Sequence, residues 1–356
     1  MNPRHCLKKS GQFCCRGVWA TLVACSALAL LGNGTPARAN LTINATFDSS
    51  ITSLPGAAAI EGAINGAIGA VEAQVSSPNN ITVAIDFTNM STGLGESTTA
   101  YYALSYYNYY NAFQAVATSP AQLTALASLG PAPGPSSGNP VNGTPNVIIT
   151  SAEGRNLGFN TPGGVTGPSG GTFDTVIGLN TSITYPPQPN NGSNYGLQAV
   201  ANHEIDESLG IGGAGSTIGG TGFFATGVGD LDLYRYTAPG VRSYSTTQTT
   251  SPYSYFSING GNTVLSYFNQ TSGADYGDWL SNPIPAGYGP QVQDAFGTPG
   301  TNPALGPNEL AAFSAIGYEL TPVPEPSSML VAVLGALGLS AYGWRRRKQR
   351  AEETVA

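Results

Sequence analysis

Apolar residues recur along this chain with two periods, and the change of period marks its elements. Ile60, Ile64, Ile68, Val71 and Val75 follow one another at steps of four, four, three and four. That spacing puts side chains on one helical face, so a helix is expected over residues 55–75 despite its glycines. Ile81, Val83, Ile85 and Phe87 then alternate with polar or small residues, as in a half-buried strand. The Tyr-rich stretch 101–113 fits a helix or an edge strand, and the Pro/Gly/Ser segment 130–145 reads as a surface loop. The short apolar runs 146–150 and 173–179 are expected as strands. After Pro186, Pro187 and Pro189 a second helix is expected over 193–209, with Leu197, Ala201, Ile205 and Leu209 on one face and Gly210, Gly212 and Gly213 stopping it. Beyond it the chain is rich in Gly, Ser, Thr, Asn and Tyr, and helical spacing returns only around 309–316.

Both ends carry addresses rather than fold. Arg4, Lys8, Lys9 and Arg16 precede or begin an apolar run over 18–31, and Ala37-Arg38-Ala39 offers the small residues that a signal peptidase cuts after. Residues 1–39 are therefore expected as a signal peptide, with a mature chain beginning at Asn40. Cys6, Cys14, Cys15 and Cys25 all leave with it, so the mature protein has no disulfide, and any metal site must use His, carboxylates and water.

Near the other end, Pro324-Glu325-Pro326 precedes an apolar run over 329–344 and then Arg345, Arg346, Arg347 and Lys348. The run is short against the ~20 apolar residues of a spanning helix, and the basic cluster is placed to stay cytoplasmic. An ordinary tail anchor would read the same way. The order Pro-Glu-Pro, apolar helix, Arg cluster resembles the PEP-CTERM sorting signal of Gram-negative bacteria that make exopolysaccharide. The resemblance implies recognition by an exosortase and cleavage near Pro-Glu-Pro. It also implies transient anchoring in the membrane by the C-terminal helix and delivery to the outer surface or extracellular matrix. Three regions result: signal peptide 1–39, a domain over 40–321, and a sorting tail over 322–350.

Charge narrows the partners. Residues 40–321 hold 17 Asp and Glu against Arg155, Arg235 and Arg242 and no Lys, a net charge of −14, which excludes nucleic acid or anionic lipid held by bulk electrostatics. Arg235 and Arg242 are expected as buried or partly buried partners of carboxylates, with Arg235 polarising a substrate carbonyl as the alternative. Asp275, Asp278 and Asp294 are candidate oxygen ligands for calcium. The abundant tyrosines allow a sugar-stacking surface but are explained more simply as core and surface residues.

The chemistry concentrates in Asn202-His203-Glu204-Ile205-Asp206-Glu207-Ser208-Leu209-Gly210. On a helix His203 and Glu207 project from one face and can ligate one ion, with Glu204 beside them where an activated water would sit. This is the logic of His-Glu-x-x-His, in which the ion acidifies a water and the Glu takes its proton as it attacks a peptide carbonyl. Glu207 replaces the second His. With His5 in the signal peptide, His203 is the one imidazole of the mature chain. Gly210 stands at the seventh position after His203, and the tenth, where a longer motif has its third ligand, is Gly213. The third protein ligand is therefore sought downstream, with Asp232 preferred to Asp230, which could serve as a turn or cap.

These residues, together with the stretches 231–243 and 255–261, Gly277-Asp278-Trp279, Asp294-Ala295-Phe296 and Ala315-Ile316-Gly317-Tyr318, resemble secreted PEP-CTERM proteins described as metzincin-like metalloproteases. The resemblance implies an α+β fold with a mixed α/β upper lobe over about 40–213, a zinc-binding active helix, and an irregular lower lobe over about 214–321. By that pattern His203 is a ligand and Glu204 the general base. The expected function is peptide-bond hydrolysis with zinc at His203, Glu207 and Asp232, acting on peptides or proteins after processing by signal peptidase and exosortase. The alternative is a non-catalytic structural or adhesive matrix protein that keeps the scaffold. A sugar-cleaving pair of Glu204 and Glu207 is disfavoured, because glycosidase carboxyls flank their substrate rather than share one helix face.

Overall fold

In a computed structural model of the chain the described residues are 40–245, 253–321, 337–340 and 342–345. The expected signal peptide lies outside them, as does most of the expected sorting tail. Among the described residues no helix is long and apolar enough to cross a membrane.

The fold is mixed α/β with several small sheets. Strand β1 (Leu41–Phe47) leads into helix α1 (Ala57–Gln74) and strand β2 (Ile81–Asn89). Strands β3 (Gly95–Thr99) and β4 (Tyr101–Ser105) follow, then helices α2 (Tyr106–Val116) and α3 (Pro120–Ser128). Next come β5 (Asn146–Thr150), α4 (Ser151–Asn156) and β6 (Thr175–Leu179). Helix α5 (Leu197–Leu209), strand β7 (Gly227–Gly229) and helix α6 (Pro307–Ala315) complete the elements that frame the site.

The main sheet has the order β1-β2-β6-β3, in which the first three strands are parallel and β3 runs antiparallel to β6. β3 is therefore an edge strand. The apolar stripe of α1 does what its period predicts: Ile60, Ile64, Ile68 and Val71 are buried, and the helix packs on β1 and on α5. Asn202 of α5 donates to the Ala67 carbonyl of α1 at 3.1 Å, pinning the two helices together. Each aliphatic side chain so buried contributes roughly 1.5–3 kcal/mol.

Two expectations change in detail. The Tyr-rich stretch is both alternatives in succession, strand β4 and then helix α2, with Ser105 at the boundary because its hydroxyl caps the Asn108 N–H at 3.2 Å. Helix α5 starts at Leu197 rather than 193, because Asn191 Oδ1 holds the N–H groups of Ser193 and Asn194 in a turn, and Tyr195–Gly196 pairs with Thr184–Tyr185.

Segments downstream of Gly213 return to the earlier sheets. β7 pairs with β5, and Glu319–Leu320 pairs with Val75–Ser76. The four remaining downstream strands among the described residues are short and form a separate antiparallel sheet.

The arginines are buried or partly buried as expected, and Asp232 is the carboxylate that acts most on Arg235, but neither Arg235 nor Arg242 makes a direct ion pair among the described residues. Arg235 is fully buried, but its guanidinium donates to the backbone carbonyls of Tyr276 and Asn269 and lies over the Phe268 ring. Arg242 donates to the Ser128 carbonyl and lies over Tyr236. Delocalised charge suits both kinds of partner. The carboxylate pair belongs to Arg155 instead, 2.9 Å from Asp174.

Candidate metal centre

Helix α5 carries His203, Glu204 and Glu207 along one wall of a cavity of about 450 Å³. His203 Nε2 stands 3.8 Å from Glu207 Oε1 and 3.8 Å from Asp278 Oδ2. One donor atom from each of the three lies within 4.8 Å of the other two. A tetrahedral zinc site has neighbouring ligand atoms about 3.4 Å apart, so side-chain shifts of a few tenths of an ångström to about an ångström would close this set on one ion.

The surroundings orient each donor. His203 Nδ1 is 2.9 Å from the Val292 carbonyl; its N–H donates there, which leaves the Nε2 lone pair facing Glu207 and Asp278. Glu207 accepts from the Ser97 hydroxyl at 2.6 Å on Oε2 and from the Gly213 N–H at 3.0 Å on Oε1. Asp278 is 2 % exposed; its Oδ2 is the oxygen facing His203, and its Oδ1 is buried without a hydrogen-bond partner. Nitrogen beside two carboxylates suits zinc and its first-row neighbours better than calcium or magnesium, which take oxygen ligands.

Asp278 reaches the helix through glycine. A Cβ on Gly277 would overlap the Gly212 carbonyl, and one on Gly213 would lie 2.5 Å from Glu207 Oε1 and 2.8 Å from the Asp275 Cβ. Both positions must lack a side chain for the two strands of chain to touch.

Asp232, the third ligand expected from sequence, is elsewhere and fully employed. Its Oδ1 accepts from Ser216 at 2.8 Å, and its Oδ2 accepts from the N–H groups of Thr217 and Gly229 at 2.9 and 3.1 Å. It clamps a turn, and Asp278 stands in its place at the cluster. Asp230 caps the Leu231 N–H at 2.9 Å.

Glu204 is buried on the same wall and close to Gly95 of the edge strand, where a Cβ would overlap its carboxylate. Burial first, and then the charge of Glu207, push its pKa well above the usual carboxylate range. The same causes raise Asp278 well above its ordinary value. Burial pulls the His203 pKa down, but Glu204 and Glu207 outweigh it and leave the imidazole raised. Such crowding of carboxylates in a dry wall favours a bound cation.

Sequence patterns did not single out Ser97, Val292, Gln293 or Glu309. Asp278 entered only as a calcium candidate and as part of Gly277-Asp278-Trp279. The adjacent glycines were its available signal, since a glycine with no turn to make often marks a close backbone approach.

No curated protein and no solved structure matches the chain. Residues 322–348 match the family model of the PEP-CTERM protein-sorting motif, which marks the chain as an exported, surface-directed protein processed by an exosortase.

Proposed function

We propose that this exported protein is a zinc-dependent peptidase of the metzincin-like plan, working at the cell surface or in the surrounding matrix. The observation that carries the reading is the convergence of His203, Glu207 and Asp278 within 4.8 Å beside Glu204. His203 Nε2 and one oxygen each of Glu207 and Asp278 would hold the ion. A zinc ion there supplies Lewis acidity to a carbonyl oxygen and acidifies a water. Glu204, whose proton affinity burial raises, takes the proton of the attacking water and passes it to the leaving amine. The free edge of β3 lines the cavity through Gly95, Glu96 and Ser97, and offers unpaired N–H and C=O groups to an extended peptide.

One observation favours the rival, a non-catalytic matrix protein that retains the scaffold: a carboxylate, Glu207, stands where the motif has an imidazole, and its charge weakens the ion's Lewis acidity. Elemental analysis of the purified exported protein, beside His203→Ala and Glu204→Gln variants, decides. The peptidase reading expects about one zinc per chain, lost in His203→Ala and kept in Glu204→Gln, with peptide hydrolysis abolished in both. Absence of bound metal from the unaltered protein, or zinc without hydrolysis of any peptide in a broad library, gives the matrix reading.

A further inference from the structure

The cavity wall is acidic beyond what a metal centre needs. Six acidic residues line it, Glu96, Glu204, Glu207, Asp275, Asp278 and Asp294, and no Lys or Arg does. The domain's three arginines are committed elsewhere, to Asp174, to backbone carbonyls and to aromatic rings. A divalent ion held by Glu207 and Asp278 would balance those two charges, and Glu204 has its role as base. Glu96, Asp275 and Asp294 remain.

Asp294 is the best placed of the three, since Glu96 and Asp275 are exposed. It is 6 % exposed, its Oδ2 accepts from the Gln291 N–H at 3.0 Å, and its Oδ1 makes no hydrogen bond among the described residues while the side chain lines the cavity. Pro290, Val292, Ala295 and Phe296 line the same stretch of wall. A carboxylate sunk among apolar side chains matches a long side chain with an aliphatic stem and a cationic head.

We propose that the cleft selects peptides carrying Arg or Lys, and that Asp294 receives the cationic head while Asp275 adds to the field at the mouth. The proposal rests on the peptidase reading for its site, but not on turnover, because selective binding is measurable without hydrolysis. Charge selection of this kind also discriminates against the chain's own acidic surface, which would be repelled from the cleft.

The test is titration calorimetry of zinc-loaded Glu204→Gln protein with short peptides identical but for Arg, Ala or Glu at one position. The Arg peptide is expected to bind roughly tenfold or more tighter than the Ala peptide, and the Glu peptide weakest. That order should flatten at high salt and collapse when Asp294→Asn is added. Equal binding of the three peptides, or a preference that survives Asp294→Asn, overturns the proposal. So does a second metal ion per chain that is lost with Asp294→Asn, because the carboxylate would then be a metal ligand. Selective binding with no hydrolysis by the unaltered protein leaves the selectivity standing and defeats the peptidase reading. Hydrolysis without charge preference does the reverse.

Discussion

Gly213 donates its backbone N–H to Glu207 Oε1 at 3.0 Å, from the position at which a longer zincin motif would place a third metal ligand. The two departures from that motif are thus one arrangement: a carboxylate replaces the second imidazole, and a bare backbone amide approaches to orient it. Asp278, arriving from a distant loop, brings a carboxylate to the cluster where Gly213 has no side chain.

Replacing Gly213 by Ala tests this coupling. The added methyl would stand 2.5 Å from Glu207 Oε1 and 2.8 Å from the Asp275 Cβ, so either the carboxylate or the loop carrying Asp278 must move. Zinc affinity, read by competition with a chromogenic chelator, is expected to fall by about 10–100-fold. The far-ultraviolet dichroism should be unchanged, since overpacking at one site costs about 1–3 kcal/mol. Unaltered affinity would mean that Glu207 is not held by Gly213 in solution.

Glu309, on helix α6, braces the segments of Trp279 and Gln293 at once. It is fully buried; Oε1 accepts from Trp279 Nε1 at 3.0 Å and from the Gln293 N–H at 3.4 Å, and Oε2 accepts from the Gly306 N–H at 3.0 Å. Trp279 follows Asp278 of the cluster. Gln293 follows Val292, whose carbonyl orients His203, and its own side chain donates to the His203 carbonyl at 2.9 Å. In Glu309→Gln one oxygen becomes an NH2 group facing another donor, so either the brace or the helix cap is lost. Zinc affinity should drop by about 10–100-fold, with a stability loss of about 1–3 kcal/mol. Trp279→Phe, which removes one donor only, should do less to affinity. A stability loss with zinc affinity intact would reduce Glu309 to a core residue.

Ser97→Ala removes the hydroxyl that donates to Glu207 Oε2 at 2.6 Å. Hydrogen bonds to a charged acceptor contribute about 1.5–3 kcal/mol, and the carboxylate gains freedom to turn from the ion. The expected result is weaker zinc retention on dialysis, with the metal-free protein losing no more than about 1.5–3 kcal/mol of stability and keeping its fold. Equal retention would show that Gly213 alone suffices to orient Glu207.

What the sequence disclosed follows from the range of its signals. The stripe Ile60 to Val71, the alternation from Ile81 to Phe87 and the face shared by His203 and Glu207 are local periodicities, and helices and strands form where they fall. The edge strand β3 escaped notice because Gly95 to Thr99 holds no large apolar residue; it is a strand through its pairing with β6. Helix α3 likewise carried a readable capping box in Ser119 and Gln122, but little apolar stripe to draw attention. The third ligand failed for another reason. Asp232 and Asp278 are both aspartates downstream of the helix, and what separates them is which glycines let which loop approach, a property of paired distant segments. Glu309, remote in sequence from every residue it braces, was beyond any local pattern.

A second acidic pair, away from the cavity, contributes to the dependence of stability on pH. Glu153 and Asp230 are fully buried and feel each other's charge, and both oxygens of Glu153 and Oδ2 of Asp230 have no hydrogen-bond partner among the described residues. Burial first, and then the charge of Asp230, hold Glu153 well above the usual carboxylate range, while burial pushes Asp230 up to about 8 against the smaller opposing effect of its hydrogen bonds. Unfolded, both release their protons near pH 4. Between these limits the folded chain binds more protons than the unfolded one, so stability is fully present below about pH 4 and is lost as pH rises through about 8, at up to about 1.4 kcal/mol per pH unit for each retained proton. The carboxyls around His203 titrate with the same sign, so the informative comparison is between the unaltered protein and Asp230→Asn, both freed of metal. The amide keeps an oxygen for the Leu231 N–H and carries no ionisable proton. In urea unfolding the variant is expected to gain on the unaltered protein as pH is raised from about 5 to about 8, by an amount on the order of 1–3 kcal/mol. A difference that stays constant with pH would mean that Asp230 ionises in the folded chain as it does in the unfolded one, by admitting water or a cation to the pair.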